Sequence, residues 1–136
     1  MALAAEVVGD RWTLLILREA FYGVRRYDDM REDLAAPRSM LSNRLSRLVE
    51  QGLMSRQPYR ESGDRERHAY VLTDAGRALA LTMMALTQWG ETWLIGSRAP
   101  VEVVDSTTGQ ALRVSVINED GSPADIANAR LQKRQR

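Results

Sequence analysis

Hydrophobic residues recur with a helical period in the segment between Pro37 and Gly52. The apolar side chains share one side of a helical wheel: Leu41, Leu45, Leu48 and Val49. The opposite side carries short polar or basic side chains: Ser39, Asn43, Ser46 and Arg47. Because Pro suits the first position of a helix and Gly the position beyond its end, the pattern predicts a helix over 38–51 with one buried and one solvated face.

Two extended segments follow this helix, at 53–59 and 68–72, and a charged tip at 60–67 that contains Gly63 and Asp64 separates them. Extended segments on both sides of a polar tip predict a β-hairpin, although this tip is longer than a two-residue turn. A helix followed by a hairpin with a basic tip is the winged-helix arrangement. The predicted fold class is therefore α+β and mainly helical, with a winged helix-turn-helix.

Winged-helix proteins place short polar side chains of the second helix against base edges in the major groove, and Arg on the wing can reach phosphate or the minor groove. The predicted DNA-binding residues lie on the solvated helix face and on the wing: Arg38, Ser39, Ser42, Asn43, Ser46, Arg47, Arg65 and Arg67. We expect Ser39 and Asn43 to read bases, and Arg65 and Arg67 to hold the DNA backbone. The alternative is a solvated helix beside an ordinary surface hairpin. This alternative explains the polar helix face or the hairpin alone better than it explains the helix followed directly by the hairpin.

Two helices are predicted at the start of the chain. The first covers 2–8 and closes at Gly9, and the second covers 11–22, is capped by Asp10 and ends at Gly23. The second helix contains an apolar run at 14–17, which predicts a central place in the core.

A short edge strand at 25–27 and a third helix complete the predicted helix-turn-helix. We expect Asp28 to cap the third helix, whose other early acidic residues suit the positive end of the helix dipole. Met30 and Leu34 are expected to point into the core.

A long helix is predicted over 73–95, with Thr73 as its cap. It carries a wide apolar band: Ala75, Leu79, Met83, Leu86, Trp89 and Trp93. A second apolar strip lies on another side: Leu81, Met84 and Ile95. Two apolar faces predict contact with a second subunit, unless the chain's own tail covers one of them. The predicted dimer-interface residues include the first helix: Leu3, Val7, Leu81, Met84, Trp89 and Trp93.

The character of the sequence changes after residue 98. Segments 101–104 and 112–117 are β-like and predict a small antiparallel appendage, followed by a basic tail. The predicted organisation is a DNA-binding and dimerisation domain at 1–98, with its long C-terminal dimerisation helix, and the small β appendage at 99–136.

Composition narrows the function classes. The 136 residues include no cysteine, which excludes disulfides and thiolate metal sites, and we expect neither a metal nor a cofactor. No apolar run is long enough to span a bilayer, so a soluble, cytoplasmic protein is expected. The net charge is only +1, yet residues 37–68 hold seven arginines against four acids. All but one of the 19 basic residues are Arg, which suits contacts to phosphate or guanine but also fits a high-GC genome.

Four segments resemble HxlR-type transcriptional regulators, a winged-helix family related to the MarR group. They are residues 9–19, 41–53 and 72–77, with Trp89-Gly90 farther on, and the likeness covers about residues 2–95. The resemblance implies a homodimer built from terminal helices, which binds a palindromic operator through helix 38–51 and the wing. The wing departs from the proline-rich form common in the family. Some relatives carry a redox-active cysteine just ahead of the first helix; here either this sensor is absent or the natural start lies upstream.

The leading hypothesis is a sequence-specific DNA-binding regulator, expected to be a repressor. The rival is a winged-helix module whose polar helix face meets a protein, and the steepness of the salt dependence of DNA binding separates the two. An enzyme is the least favoured class, because the single histidine, His68, is expected on the surface of the hairpin and no other acid-base or nucleophilic set is present.

A ligand that controls the regulator is expected to bind reversibly. Covalent sensing needs a thiolate or an accessible amine, and the only lysine, Lys133, lies in the basic tail. A small apolar effector is expected where the two halves of a dimer meet, near residues that also suit plain interface packing: Trp89, Trp93, Met83 and Met84.

Overall fold

The computed structural model describes residues 1–60, 63 and 66–132, and forms two compact units, one from Met1 to Met83 and one from Met84 onward. Four helices come first, followed by a hairpin and two further helices. Their bounds are α1 Ala2–Val8, α2 Arg11–Phe21, α3 Tyr27–Asp33, α4 Arg38–Glu50, β1 Met54–Tyr59, β2 Arg67–Leu72, α5 Asp74–Arg77 and α6 Ala80–Gly90. This order of elements is the predicted winged helix-turn-helix.

The core of the first unit is built mainly by α2 and α4. Its fully buried apolar side chains come from four elements and the turn before α4: Ile16, Leu17, Met30, Ala36, Leu41, Leu45, Leu48 and Met54. The predicted central role of the run 14–17 is confirmed for Ile16 and Leu17, whereas Leu14 and Leu15 are half-buried. Burial of this set stabilises the unit by removing apolar surface from water.

Asp10 caps α2, as the sequence predicts. Its Oδ1 accepts a hydrogen bond from the Thr13 backbone N–H at 3.1 Å, and its Oδ2 accepts one from the Thr13 hydroxyl at 2.6 Å. Arg44 Nε lies 3.4 Å from Asp10 Oδ1 and so ties α4 to the start of α2. Burial opposes the charged carboxylate, but the Thr13 hydrogen bonds and the Arg44 guanidinium outweigh it and hold the pKa of Asp10 below its usual value.

The start of α3 differs from the prediction in two respects. Arg26, not Asp28, is the N-cap, and Asp28 lies in the first turn of the helix, where its charge suits the dipole. The predicted edge strand at 25–27 is reduced to one antiparallel bridge, between Arg26 and Ala69, because α3 already begins at Tyr27. The Tyr70 backbone N–H donates to the Arg25 carbonyl at 2.7 Å, which still ties this segment to β2.

The turn between α3 and α4 contains a residue with a left-handed backbone. Ala35 lies in the left-handed region with a φ of 47°, which is unusual for a residue with a Cβ, and the next residue, Ala36, is buried. Pro37 is the N-cap of α4 and not its first helical residue, as its preference for that position suggested; the helix begins at Arg38. At the far end Gln51 is the C-cap and Gly52 has a φ of 73°, so the predicted glycine stop is confirmed.

The hairpin is antiparallel, with Met54 opposite Leu72 at its base and Tyr59 opposite Arg67 near its tip. The strand bounds agree with the predicted segments to within one residue. Residues 61, 62, 64 and 65 of the tip lie outside the described residues; the last of these is the predicted DNA contact Arg65.

The predicted long helix over 73–95 is interrupted. Thr73 is its cap, as predicted, and its hydroxyl accepts from the Gly76 backbone N–H. The helix then tightens after α5, where the Leu79 N–H bonds to the Gly76 carbonyl three residues back. After α6 the chain forms a π-helical turn, Glu91–Ile95, which ends at Gly96 with a φ of 68°.

The β-like segments beyond residue 100 do not form strands among the described residues. Two isolated antiparallel bridges replace the predicted appendage, one between Val104 and Ala111 and one between Ile117 and Pro123. Turns dominate here because Asp105 accepts hydrogen bonds from the Thr107 and Thr108 backbone N–H groups, and Asp120 accepts from the Ser122 hydroxyl and from the Ser122 backbone N–H. These bonds hold the pKa of both carboxyls below the usual value. A turn of 3₁₀ helix, Ile126–Asn128, follows.

Candidate nucleic-acid interface

The two faces of α4 differ as the sequence predicts. Leu41, Leu45 and Leu48 are at most 1% exposed and fix the helix against the core. The polar residues of the other face are all exposed: Arg38, Ser39, Ser42, Asn43, Ser46 and Arg47. The predicted helix residues of the DNA interface are therefore brought together on one solvated surface, which we call the reading face.

Two arginines of the reading face keep their charge available. Among the described residues, Arg38 and Arg47 form no ion pair, whereas the third arginine of α4, Arg44, faces Asp10 and is half-buried. No acidic residue lies in the first turn of α4. The reading face therefore presents two guanidinium groups and several short polar side chains without a neighbouring carboxylate from its own first turn.

A hydrogen-bonded chain joins α3 to the reading face. The Tyr27 hydroxyl lies 3.0 Å from the Arg38 carbonyl oxygen and 3.2 Å from Ser42 Oγ. Tyr27 is half-buried, and its ring packs against the core cluster. The first turn of α4 is therefore held in place by a side chain of α3.

The wing carries arginines that already have protein partners. Arg67 Nη1 lies 3.3 Å from Asp28 Oδ2, Arg60 Nη2 lies 3.5 Å from Glu66 Oε2, and Arg56 Nη2 lies 3.2 Å from His68 Nδ1. The Arg67 and Asp28 side chains are 51% and 67% exposed, so water screens this pair and it is weak. The Arg67 guanidinium therefore stays accessible to solvent in spite of the pair.

A cleft of about 310 Å³ lies between the start of α3 and the hairpin. It is lined by three tyrosines and three polar side chains: Tyr27, Asp28, Tyr59, Arg67, His68 and Tyr70. Above it the Arg26 guanidinium lies 5.0 Å from the centre of the Tyr59 ring, within the range of a cation–π contact. His68 lies on β2 of the hairpin, as predicted, but it is half-buried in this cleft and not fully on the surface.

Sequence reasoning placed Tyr27 in an edge strand and Asp28 at a helix cap, and so missed the contacts of both with the interface. Their partners are 11 or more residues away along the chain, at Arg38, Ser42 and Arg67. A Tyr directly before paired acids at a helix start is the only local signal, and it does not reveal a partner on another helix.

Most of the predicted dimer-interface residues are exposed in this chain. Four of them are more than half exposed: Leu3 at 78%, Leu81 at 66%, Trp89 at 54% and Trp93 at 73%. Val7 and Met84 are half-buried. Of the predicted apolar band, Leu79 and Met83 pack against the core, whereas Ala75 and Leu86 are exposed. An apolar effector near the two tryptophans stays a prediction.

Comparison with known proteins defines the class. The HxlR-like helix-turn-helix family matches residues 7–98. An uncharacterized HTH-type transcriptional regulator of Mycobacterium tuberculosis is 54% identical over 97 residues, which are 71% of this chain and 60% of that protein. The chain thus spans about 60% of the length of this curated relative.

Two solved structures share the fold over nearly the whole chain. PA1607, a candidate transcription factor, is 35% identical with a TM-score of 0.79, over 96% of this chain and 91% of that chain. PA1374 of Pseudomonas aeruginosa, a second candidate transcription factor, is 33% identical with a TM-score of 0.66, over 98% and 90%.

The chain belongs to the HxlR-like helix-turn-helix family, as the sequence motifs suggested. It shares its helix-turn-helix fold with proteins named as transcription regulators. No helix in the described ranges has the length and apolar character needed to cross a bilayer.

Proposed function

We propose that this chain is a sequence-specific DNA-binding regulator that inserts α4 into the major groove and rests the wing on the DNA backbone. The observation that carries the proposal is the reading face, because six exposed polar or basic side chains stand opposite a fully buried face of the same helix. A helix so anchored cannot rotate, so the same side chains always face the groove.

The side chains of the reading face are those that read bases. Asn can pair with adenine through its amide, Arg with guanine through its guanidinium, and Ser with either a donor or an acceptor. Ser39, Asn43 and Arg47 lie one turn apart along α4, so they can meet successive base steps.

We infer that the active form is a homodimer on a palindromic operator. The exposed apolar side chains of α1 and of the segment through Trp93 support this, since a twofold interface presents the same patch twice and needs no other partner. Half-sites are then expected about one DNA turn, or a multiple of it, apart. We propose that the dimer acts as a repressor. Repression requires only that the bound dimer exclude other proteins from the site.

The test is selection of bound fragments from a library of randomised DNA duplexes, followed by titrations of the selected sequence at several salt concentrations. We expect one enriched palindrome and an affinity that falls steeply with salt. Enrichment of no sequence, with a shallow salt dependence, would instead support the protein-interaction module.

The first prediction concerns Asn43. Asn43→Ala removes an amide from the middle of the reading face and should cost about 1–3 kcal/mol on the selected operator, with a smaller loss on unrelated DNA. Gln51→Ala is the matched control, because Gln51 is an exposed amide at the far end of the same helix and should leave both affinities unchanged. Equal losses on operator and unrelated DNA would remove Asn43 from the base-reading set.

The second prediction concerns the Arg67–Asp28 pair. Arg67→Ala should weaken all DNA alike and flatten the slope of log affinity against log salt by about one, because one phosphate contact is lost. Asp28→Asn should do the reverse and tighten binding by about 0.5–1 kcal/mol, because Arg67 then has no ion pair that must be broken before it contacts a phosphate.

Asp29→Asn is the control for the second prediction. Asp29 is the neighbouring acid in the same first turn of α3, so its replacement changes the net charge equally without touching Arg67. If Asp29→Asn tightens binding as much as Asp28→Asn, the effect is one of overall charge, and the pair has no special role.

A further inference from the structure

We propose that Tyr27 is a specificity-determining, positioning residue of the DNA interface, and that it acts through Ser42. The proposal rests on the DNA-reading role of α4 given above. Its basis is the direction of the two hydrogen bonds at the Tyr27 hydroxyl.

The Arg38 carbonyl fixes the position of the phenol proton. A carbonyl oxygen can only accept, so the 3.0 Å contact requires the Tyr27 hydroxyl to donate its single proton to Arg38. The same hydroxyl has no second proton, so in the 3.2 Å contact it must accept from the Ser42 hydroxyl. Ser42 therefore donates its only side-chain proton to Tyr27 and has none left for a base.

This use of its proton changes what Ser42 can recognise. A free serine hydroxyl can donate or accept, and so it discriminates poorly between base edges. Held by Tyr27, the exposed Ser42 presents only lone pairs to the groove. The donors in the major groove are the amino groups of adenine and cytosine, whereas guanine and thymine present acceptors there. Ser42 should thus select an amino group at one position of each half-site.

The structure also shows why Tyr27 holds this place. Tyr27 is the first residue of α3, and its ring packs against the core cluster, so the hydroxyl is aimed by the fold and not by a flexible chain. The Arg38 carbonyl lies in the first turn of α4, one turn before Ser42. One phenol therefore spans both groups, and phenylalanine at position 27 would keep the packing while losing both hydrogen bonds.

The experiment compares base preferences of the full chain and its variants on the randomised duplex library. Tyr27→Phe should lower the preference for an amino-bearing base at one position per half-site by roughly 3- to 10-fold and leave the other positions unchanged. Ser42→Ala should lower preference at the same position. The double variant should lose no more than Ser42→Ala alone, because Tyr27 acts only through the Ser42 hydroxyl.

Tyr59→Phe is the matched control. Tyr59 lines the same cleft, but within the described residues its hydroxyl makes no hydrogen bond to α4, so its base preferences should equal those of the wild type. A purely structural role of Tyr27 would lower affinity at all positions together with the melting temperature, and that result would overturn the proposal.

The outcomes separate this inference from the proposed function. If the wild type selects an operator and Tyr27→Phe has an unchanged profile, the inference is wrong and DNA reading stands. Additive effects of the two variants, or an unchanged profile for Ser42→Ala, would also overturn it. If Tyr27→Phe does not fold, Ser42→Ala still tests the direction of the hydrogen bonds, since Ser42 is an exposed residue whose loss spares the core. A lost preference for guanine or thymine, in place of an amino-bearing base, would overturn the inference. Failure of the wild type to select any sequence would overturn the proposed function itself.

Discussion

Gly76→Ala is expected to destabilise the winged-helix unit by about 3 kcal/mol, a large part of the stability of a small domain. A Cβ built on Gly76 would lie 2.1 Å from the Leu53 carbonyl oxygen, far inside any allowed contact. That oxygen is backbone, and it already accepts from the Thr73 N–H at 3.0 Å. It cannot move without breaking this hydrogen bond.

Hydrogen bonds beside Gly76 also connect the motif at 72–77 to the end of α4. Thr73 caps α5 with its hydroxyl oxygen and donates the hydroxyl proton to the Gly52 carbonyl at 2.6 Å. Gly52 and Leu53 connect α4 to β1, so Thr73, the cap of α5, bonds to both residues of the segment that leads from α4 into the wing. We therefore expect Gly76→Ala to weaken operator binding in addition to lowering stability.

Urea unfolding measures the predicted loss, and Gly90→Ala supplies the control. Gly90 has ordinary helical angles, and a Cβ there would meet nothing within 4 Å, so alanine should stabilise by about 0.5–1 kcal/mol. Opposite signs for two Gly→Ala changes separate the clash from helix propensity. Equal stabilisation by both would show that the Leu53 carbonyl does not pack against Gly76 in solution.

Periodicity was sufficient to predict α4, because its boundaries and faces depend on nearby residues. Pro37 and Gly52 mark its ends, and the leucines repeat at helical spacing, so the sequence alone is enough to assign the reading face. Asp10 and Thr73 were recognisable as caps for the same reason, since each bonds to a residue three positions on.

The features that the sequence did not reveal depend on distant contacts. The interruption after α5 accompanies the approach of Gly76 to the Leu53 backbone, which no local pattern encodes. The Tyr27 contact with Ser42 likewise requires α3 and α4 to have been packed first. Segments 101–104 and 112–117 have strand-like composition, but strand formation depends on pairing partners, and here turns at Asp105 and Asp120 leave only isolated bridges.

Trp93→Glu is expected to convert the proposed dimer to monomers at concentrations where the wild type is dimeric. A tryptophan contributes about 150–250 Å² of contact area, and at roughly 25 cal/mol per Å² its burial is worth about 4 kcal/mol. In this chain the Trp93 side chain is 73% exposed, so most of that area is available to a partner. A twofold interface contains it twice, and a buried carboxylate without a partner adds a further cost.

Sedimentation velocity over a wide range of protein concentration measures the change, with Tyr22→Glu as the control. Tyr22 is an exposed aromatic at the end of α2, 53% exposed and outside the predicted interface, so its replacement should leave the dimer intact. The Trp93→Glu dissociation constant should rise by at least about a thousandfold, because the loss of even one of the two Trp93 copies corresponds to roughly 4 kcal/mol. Melting curves of the two variants verify that both remain folded.

DNA binding gives an independent reading of the same prediction. A Trp93→Glu monomer keeps α4 and its reading face, so it should still bind a single half-site weakly while losing the gain that a dimer obtains from two half-sites on one duplex. A variant that stays dimeric would show that the exposed tryptophans do not form the interface. A variant that is monomeric yet binds the full palindrome as tightly as the wild type would show that two half-sites are not read by one dimer, and the palindromic operator would then have to be abandoned while base reading by α4 remained.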